Sequence, residues 1–267
     1  MHIIFALATT ALAEDPEFVG AEAPPEEVPE EAETHLSAEL GGVATSGNAM
    51  FYAINGGTSV SRKWDRNKLA GVAGINIGSA VPDTNADGLI DEAERDLGYL
   101  ANARRLFAEA RYDRFLSDRD SLYVLGGAFH DIFAGYDLRS HEQLGYSRLL
   151  VDTEDTEVRT ELGFDYAQEF YVAGVDPRYH NVFAGRLLLG LNHAFNESVG
   201  LSDTFEVYEN VLQPQDVRIL NTASFSSALG SSLSLKLSHA LIFDNVPVEG
   251  FGPLDQTTTV TVVATIL

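Results

Sequence analysis

The sequence predicts an all-β fold: a transmembrane, antiparallel up-and-down β-barrel of about 12 strands. Three observations predict it. From residue 36 onward, segments of about 10 to 16 residues alternate apolar and polar side chains with period two. The connections between these segments alternate between short and long. No stretch after the N-terminal leader approaches the roughly 18 to 20 continuous apolar residues of a membrane helix. A membrane-spanning form of this chain therefore has to be a closed barrel, which satisfies every backbone hydrogen bond in lipid.

The leader comes first. Residues 3–13 form an apolar run ending in Ala11-Leu12-Ala13, an A-x-A cleavage pattern before Glu14, although Met1 and His2 supply no Lys or Arg. A signal peptide over 1–13 is expected. Residues 14–35 hold nine acidic residues, several prolines and no basic residue. That composition cannot bury a core, so a disordered periplasmic tail is expected there.

The barrel is expected over 36–267. Its strands fall at about 36–46, 49–62, 67–80, 99–116, 121–133, 138–151, 157–171, 181–195, 200–210, 217–228, 232–243 and 256–267. In the seventh, Val158, Thr160, Leu162, Phe164 and Tyr166 share one face, and Arg159, Glu161, Gly163, Asp165 and Glu169 share the other. In the eleventh, Leu233, Leu235, Leu237 and Leu241 oppose Ser234, Lys236 and Ser238. Short connections at 64–67, 117–120, 153–156, 196–198 and 229–232 alternate with mostly longer ones at 81–98, 134–137, 173–181, 210–216 and 244–255. This pattern places short turns and both termini in the periplasm and the long loops outside. The last strand ends in Leu267, where assembly signals for such barrels usually carry Phe or Trp.

The polar faces mix charges of both signs: Arg105, Glu109, Arg111, Asp113, Arg139, Glu161, Asp165 and Arg186. An internal ion-pair network is expected from them rather than a selectivity filter. Trp64, Tyr99, Tyr112, Phe115, Tyr123, Phe170 and Tyr171 lie near strand ends, where interfacial girdles form.

Composition removes several function classes. The formal charge is −23, from 40 acidic against 17 basic residues, so the chain repels nucleic-acid phosphates. There is no cysteine, which excludes disulfide frameworks, thiolate zinc sites and cysteine nucleophiles. His130, His141, His180, His193 and His239 stand singly, without H-x-x-x-H or H-E-x-x-H spacing. No G-x-S-x-G or P-loop is present. No catalytic residues are expected.

One constellation has a specific chemical reading. Residues 83–94 place oxygen ligands at the positions of an EF-hand-type Ca2+ loop: Asp83, Asn85, Asp87, the Leu89 carbonyl, Asp91 and Glu94, with Gly88 at the sharp turn. Between strands, such a lone loop is expected to bind Ca2+ weakly, at about 10^-4 to 10^-3 M. The plainer alternative is an acidic turn in which Asp, Asn and Gly serve geometry alone.

Three stretches, 38–69, 111–149 and 158–169, resemble the salt-induced outer-membrane protein family, a bacterial family of unknown function. The resemblance is carried by Ser46-Gly47-Asn48, Tyr112-Asp113, Asp131, Asp137, Leu138, Arg139 and Gly145-Tyr146. It implies a barrel of the twelve-stranded type in the cell outer membrane and no reaction. The combined expectation is a monomeric outer-membrane barrel of envelope structure or stress response, or a narrow pore, with a Ca2+-stabilised external loop. Its partners would be outer-membrane lipid, lipopolysaccharide and the barrel assembly machinery. An outer-leaflet lipid-modifying enzyme and a binding module using the long loops are the alternatives.

Overall fold

The computed structural model describes residues 33–46, 50–85 and 89–266; the expected signal peptide, nearly all of the expected tail, and Asp87, Gly88 and Leu267 lie outside them. Twelve strands run in chain order: β1 (Glu33–Thr45), β2 (Phe51–Trp64), β3 (Asn67–Ala80), β4 (Leu100–Phe115), β5 (Asp120–Asp131), β6 (Tyr136–Asp152), β7 (Thr156–Tyr171), β8 (Tyr179–Asn196), β9 (Val199–Asn210), β10 (Val217–Ala228), β11 (Leu233–Asp244) and β12 (Leu254–Thr265). Each pairs antiparallel with its chain neighbours, and β1 pairs with β12 to close the barrel.

Strand ends fall within three residues of the positions expected from alternation. β1 begins at Glu33, inside the stretch expected to be tail, because Glu33, Thr34 and His35 continue the ladder against Lys63, Arg62 and Ser61. One helix, α1 (Glu92–Leu97), was not expected. Its signal was the capping box Asp91–Glu94, in which each side chain accepts from the other's backbone N–H.

Side-chain parity sets inside and outside. Outward, large apolar side chains ring all twelve strands: Leu40, Ile54, Ile75, Leu106, Val124, Leu144, Leu162, Leu189, Phe205, Phe225, Leu237 and Val260 are each more than a third exposed. Inward, the buried groups are chiefly polar, including Lys68, Asn76, Arg111, Asp113, Glu161, Asp165, Glu169, Glu206 and Lys236. An ordinary soluble domain inverts this distribution.

Parity corrects three of the expected girdle aromatics. Phe115 and Tyr123 are 3% and 2% exposed, and the Tyr171 hydroxyl donates to Glu169 at 2.6 Å. All three point inward, because they share parity with Asp113, Ser121 and Glu169. Tyr112 and Phe170 do face outward; the Tyr112 hydroxyl donates to Asn67 Oδ1 at 2.7 Å, and Phe170 packs on Tyr179 at 4.8 Å.

Candidate functional site

The lumen is built around two sets of ion pairs. In the first, Arg111 on β4 donates to Asp113 Oδ1 and Oδ2, both at 2.9 Å, and to Glu161 on β7 at 2.7 and 3.0 Å. Arg186 on β8 donates to the same Glu161 at 2.8 Å and to Glu206 on β9 at 2.6 Å. Glu161 and Asp113 have no exposed surface. A buried carboxylate of this kind is tolerated only with several donors around it, and here two guanidiniums supply them.

Tyr123 on β5 is sandwiched into this set. The Arg111 guanidinium lies 4.2 Å from its ring centroid, and its hydroxyl accepts from Arg186 at 2.9 Å. The ring crosses two strands to get there. Gly145 and Gly163 are paired on β6 and β7, and a Cβ on Gly145 would lie 2.6 Å from the Tyr123 hydroxyl. Gly163 has no room for a side chain while Tyr123 is in place, and at Gly145 the Leu162 carbonyl, at 2.5 Å, excludes one as well.

The second set lies toward the long loops. Glu169 on β7 accepts from Arg139 on β6 at 3.0 Å and from Arg218 on β10, and Arg218 also meets Asp244 on β11 at 3.0 Å. Above it is a cavity of about 130 Å3 lined by Arg105, Tyr136, Arg139 and Arg218 and roofed by Val248 and Phe251 of the 245–253 connection. The short-turn end is roomier. A recess of about 610 Å3 opens there, lined in part by Ser37, Ser59, Ser61, Lys68, Glu157 and Ser202.

All eight charged residues expected inside do lie in the lumen. Sequence reasoning missed Tyr123, Glu206, Tyr208, Arg218 and Asp244 as members of the networks. Glu206 and Tyr208 were visible as the polar parity of β9, along with Ser202 and Thr204; Tyr123 was hidden by its position near a strand end. His141 lies in the lumen, 3.3 Å from Asp165 Oδ1 and 3.7 Å from Glu109 Oε2. Its described partners are these carboxylates and Gln143, with no serine hydroxyl among them.

Of the expected Ca2+ ligands, Glu94 and Asp91 are held by hydrogen bonds within the loop. Glu94 is 2% exposed, and both of its carboxylate oxygens are engaged by the loop itself. Oε1 accepts from Thr84 N at 2.6 Å, Thr84 Oγ1 at 3.0 Å and Asn85 N at 3.3 Å; Oε2 accepts from Asp91 N at 3.1 Å. Asp91 Oδ1 accepts from Glu94 N at 2.9 Å. Burial alone raises the Glu94 carboxyl, but the hydrogen bonds from Asp91, Thr84 and Asn85 outweigh it and hold the group below its ordinary range. In this geometry both Glu94 oxygens are taken by donors of the loop, which an ion would have to displace. Among the described residues no cluster of three or more His, Asp or Glu side chains is placed to hold a metal; Asp87 is outside them.

The model of a family described as "Protein of unknown function, DUF481" matches residues 38–266. The chain belongs to that family. No curated protein matches it. Among solved structures, the NanC porin is similar in fold, with a TM-score of 0.51 at 11% identity over 86% of this chain and 100% of that one. An outer membrane channel from Pseudomonas putida F1 aligns over 91% of this chain and 99% of that one, at 11% identity and TM-score 0.47. The translocator domain of the autotransporter NalP from Neisseria meningitidis aligns over 88% of each chain, at 12% identity and TM-score 0.45. At these identities the likeness to NanC carries the barrel fold of this family member and nothing of its cargo.

Proposed function

We propose that the protein is a monomeric barrel of the bacterial outer membrane whose lumen is a narrow, largely filled conduit. One observation carries this reading: an unbroken belt of exposed apolar side chains surrounds an interior of buried ion pairs. Apolar surface on this scale needs lipid around it. The Arg111–Glu161–Arg186 set projects into the lumen from three strands, and Val248 and Phe251 roof the loop end, so any ion path is thin. The short turns would face the periplasm, where the assembly machinery delivers the chain, and the long loops would face lipopolysaccharide.

The test is planar-bilayer recording on the refolded barrel. Small or no conductance supports the filled conduit; large, steady porin-like steps overturn it. Retention in outer-membrane vesicles after an alkaline wash tests the location separately. The likeness to salt-induced outer-membrane proteins extends the proposal to a role in the envelope under osmotic stress. A deletion strain that grows like its parent at every salt concentration would remove that extension.

Ca2+ binding at 83–94 remains a proposal of the ligand spacing. It requires Glu94 to exchange its loop donors for the ion.

A further inference from the structure

Residues 245–253, between β11 and β12, cross the loop-side mouth of the barrel. In the closed ring of twelve strands, β5 and β6 stand opposite β11 and β12. The cavity under this connection is lined from both walls, by Phe129 and Phe133 on one side and Leu220 and Ile242 on the other, with Val248 and Phe251 over it. Val248 is 7% exposed although it belongs to a loop.

The ends and the middle of this connection are held differently. The ends are hydrogen-bonded to their own wall. Asn245 N donates to Val217 O at 3.0 Å, Asn245 Nδ2 to Gln215 O at 2.7 Å, Val246 N to Asp244 Oδ1 at 2.9 Å and Asp244 N to Pro253 O at 2.9 Å. The middle rests on the far wall by apolar contact. A Cβ on Gly135, in the β5–β6 turn, would lie 2.9 Å from the Phe251 ring and 3.0 Å from Val248 Cβ. Gly135 has φ of +90°, so a glycine here serves both the turn and the close approach. Among the described hydrogen bonds and ion pairs, none joins 246–252 to 132–136. Gly250, also at φ +90°, and Gly252 have nothing within 4 Å of where a Cβ would stand. The middle is therefore held by two apolar side chains, between ends that are fixed by hydrogen bonds. Apolar contact is non-directional and can be broken without leaving a buried polar group unpaired.

We propose that 245–253 is a strap that gates the loop-side mouth. It is closed when Val248 and Phe251 seat against Gly135, and open when the middle lifts while both ends stay bound. Closed, it seals the cavity of about 130 Å3 above the Arg139–Glu169–Arg218 set. Open, it exposes that set to the outside. This rests on the reading of the lumen as a conduit, which bilayer recording tests separately: large porin-like steps in the parent sink that reading, whereas the results below sink the gate alone.

The experiment uses the full-length barrel in lipid vesicles, with Leu220→Cys as a reporter beneath the strap; the chain has no other cysteine. The water-soluble probe trimethylammonium-ethyl methanethiosulfonate is supplied on both sides of the bilayer. Labelling in the Leu220→Cys background is expected to be slow but to run to completion, as the strap opens from time to time. Adding Phe251→Ser is expected to speed it about tenfold, because the closed state loses the burial of that ring. Val248→Ser serves as a second variant, and the heat-shifted migration of each barrel shows that it has folded. Equal rates with and without the serine substitutions overturn the proposal. So does labelling that never occurs without them and does occur with them, which is the behaviour of a fixed roof. Without the reporter, Gly135→Cys/Val248→Cys is expected to form a disulfide, since its Cβ atoms need lie only about 3.5–4.5 Å apart. A folded barrel in which that pair stays reduced under oxidant also overturns the proposal.

Discussion

Tyr123 on β5 reaches Arg186 on β8, three strands away, by lying across the glycine pair of β6 and β7; the two side chains meet at 2.9 Å. A strand-to-strand ladder joins only neighbours. This contact ties together four strands from inside.

Gly163→Ala should therefore destabilise the barrel by about 1–3 kcal/mol, the usual cost of forcing an extra methyl into a packed site. The added Cβ meets the Tyr123 hydroxyl. In a Tyr123→Phe background the same substitution should cost less, with a coupling of about 1 kcal/mol in a double-mutant cycle. Urea unfolding in lipid vesicles measures both. Simple additivity of the two substitutions would show that the glycine slot is unrelated to the tyrosine.

Glu161→Leu should cost about 3 kcal/mol, the lower part of the range for breaking a buried pair. Two guanidiniums lose their shared carboxylate, but Asp113 still faces Arg111 and Glu206 still faces Arg186. The shift in unfolding midpoint measures it. A variant as stable as the parent would mean that the pair is neutral in energy.

The 83–97 segment should loosen in acid. Glu94 is held below its ordinary value of 4.5. A group depressed in the folded state stabilises above its unfolded value, and that contribution fades as pH falls through the folded one. Hydrogen exchange across 84–94 should thus be unchanged above about pH 5 and accelerate below about pH 4.5, beyond the intrinsic pH dependence. Glu94→Gln should remove the transition. A pH-independent profile in the parent would count against Glu94 as the organiser of the loop.

Ca2+ gives a separate readout at the same loop. Calorimetry on the refolded protein should show weak binding, in the range of about 10^-4 to 10^-3 M, abolished by Asp83→Ala. If no heat appears and Asp83→Ala behaves as the parent does, the loop is a capped turn and its acidic spacing serves geometry.

The strand order, the alternation of turns and loops and the charged interior were legible because all three follow from period-two parity. Segment 157–171 shows this best: Arg159, Glu161, Asp165 and Glu169 face inward as their spacing requires. Tyr123 was not legible, since a tyrosine near a strand end suits both a girdle and a lumen, and only its parity with Ser121 decides between them. Arg218 was missed because its partner Glu169 comes from β7, three strands away, and Asp244, paired directly with Arg218, because the expected strand ended at 243. α1 was missed because the Ca2+ spacing drew attention to Asp91 and Glu94 as ligands, while the same two residues also spell a helix start.

The short β1–β12 ladder also sets how the barrel comes apart under load. Five residue pairs fasten the last strand to the first, against far longer runs between β6 and β7. A pulling tether on the C-terminus should unzip β12 first and peel strands singly from there. The middle hairpins should yield last, leaving a curved remnant that records the order in which the cylinder was sewn.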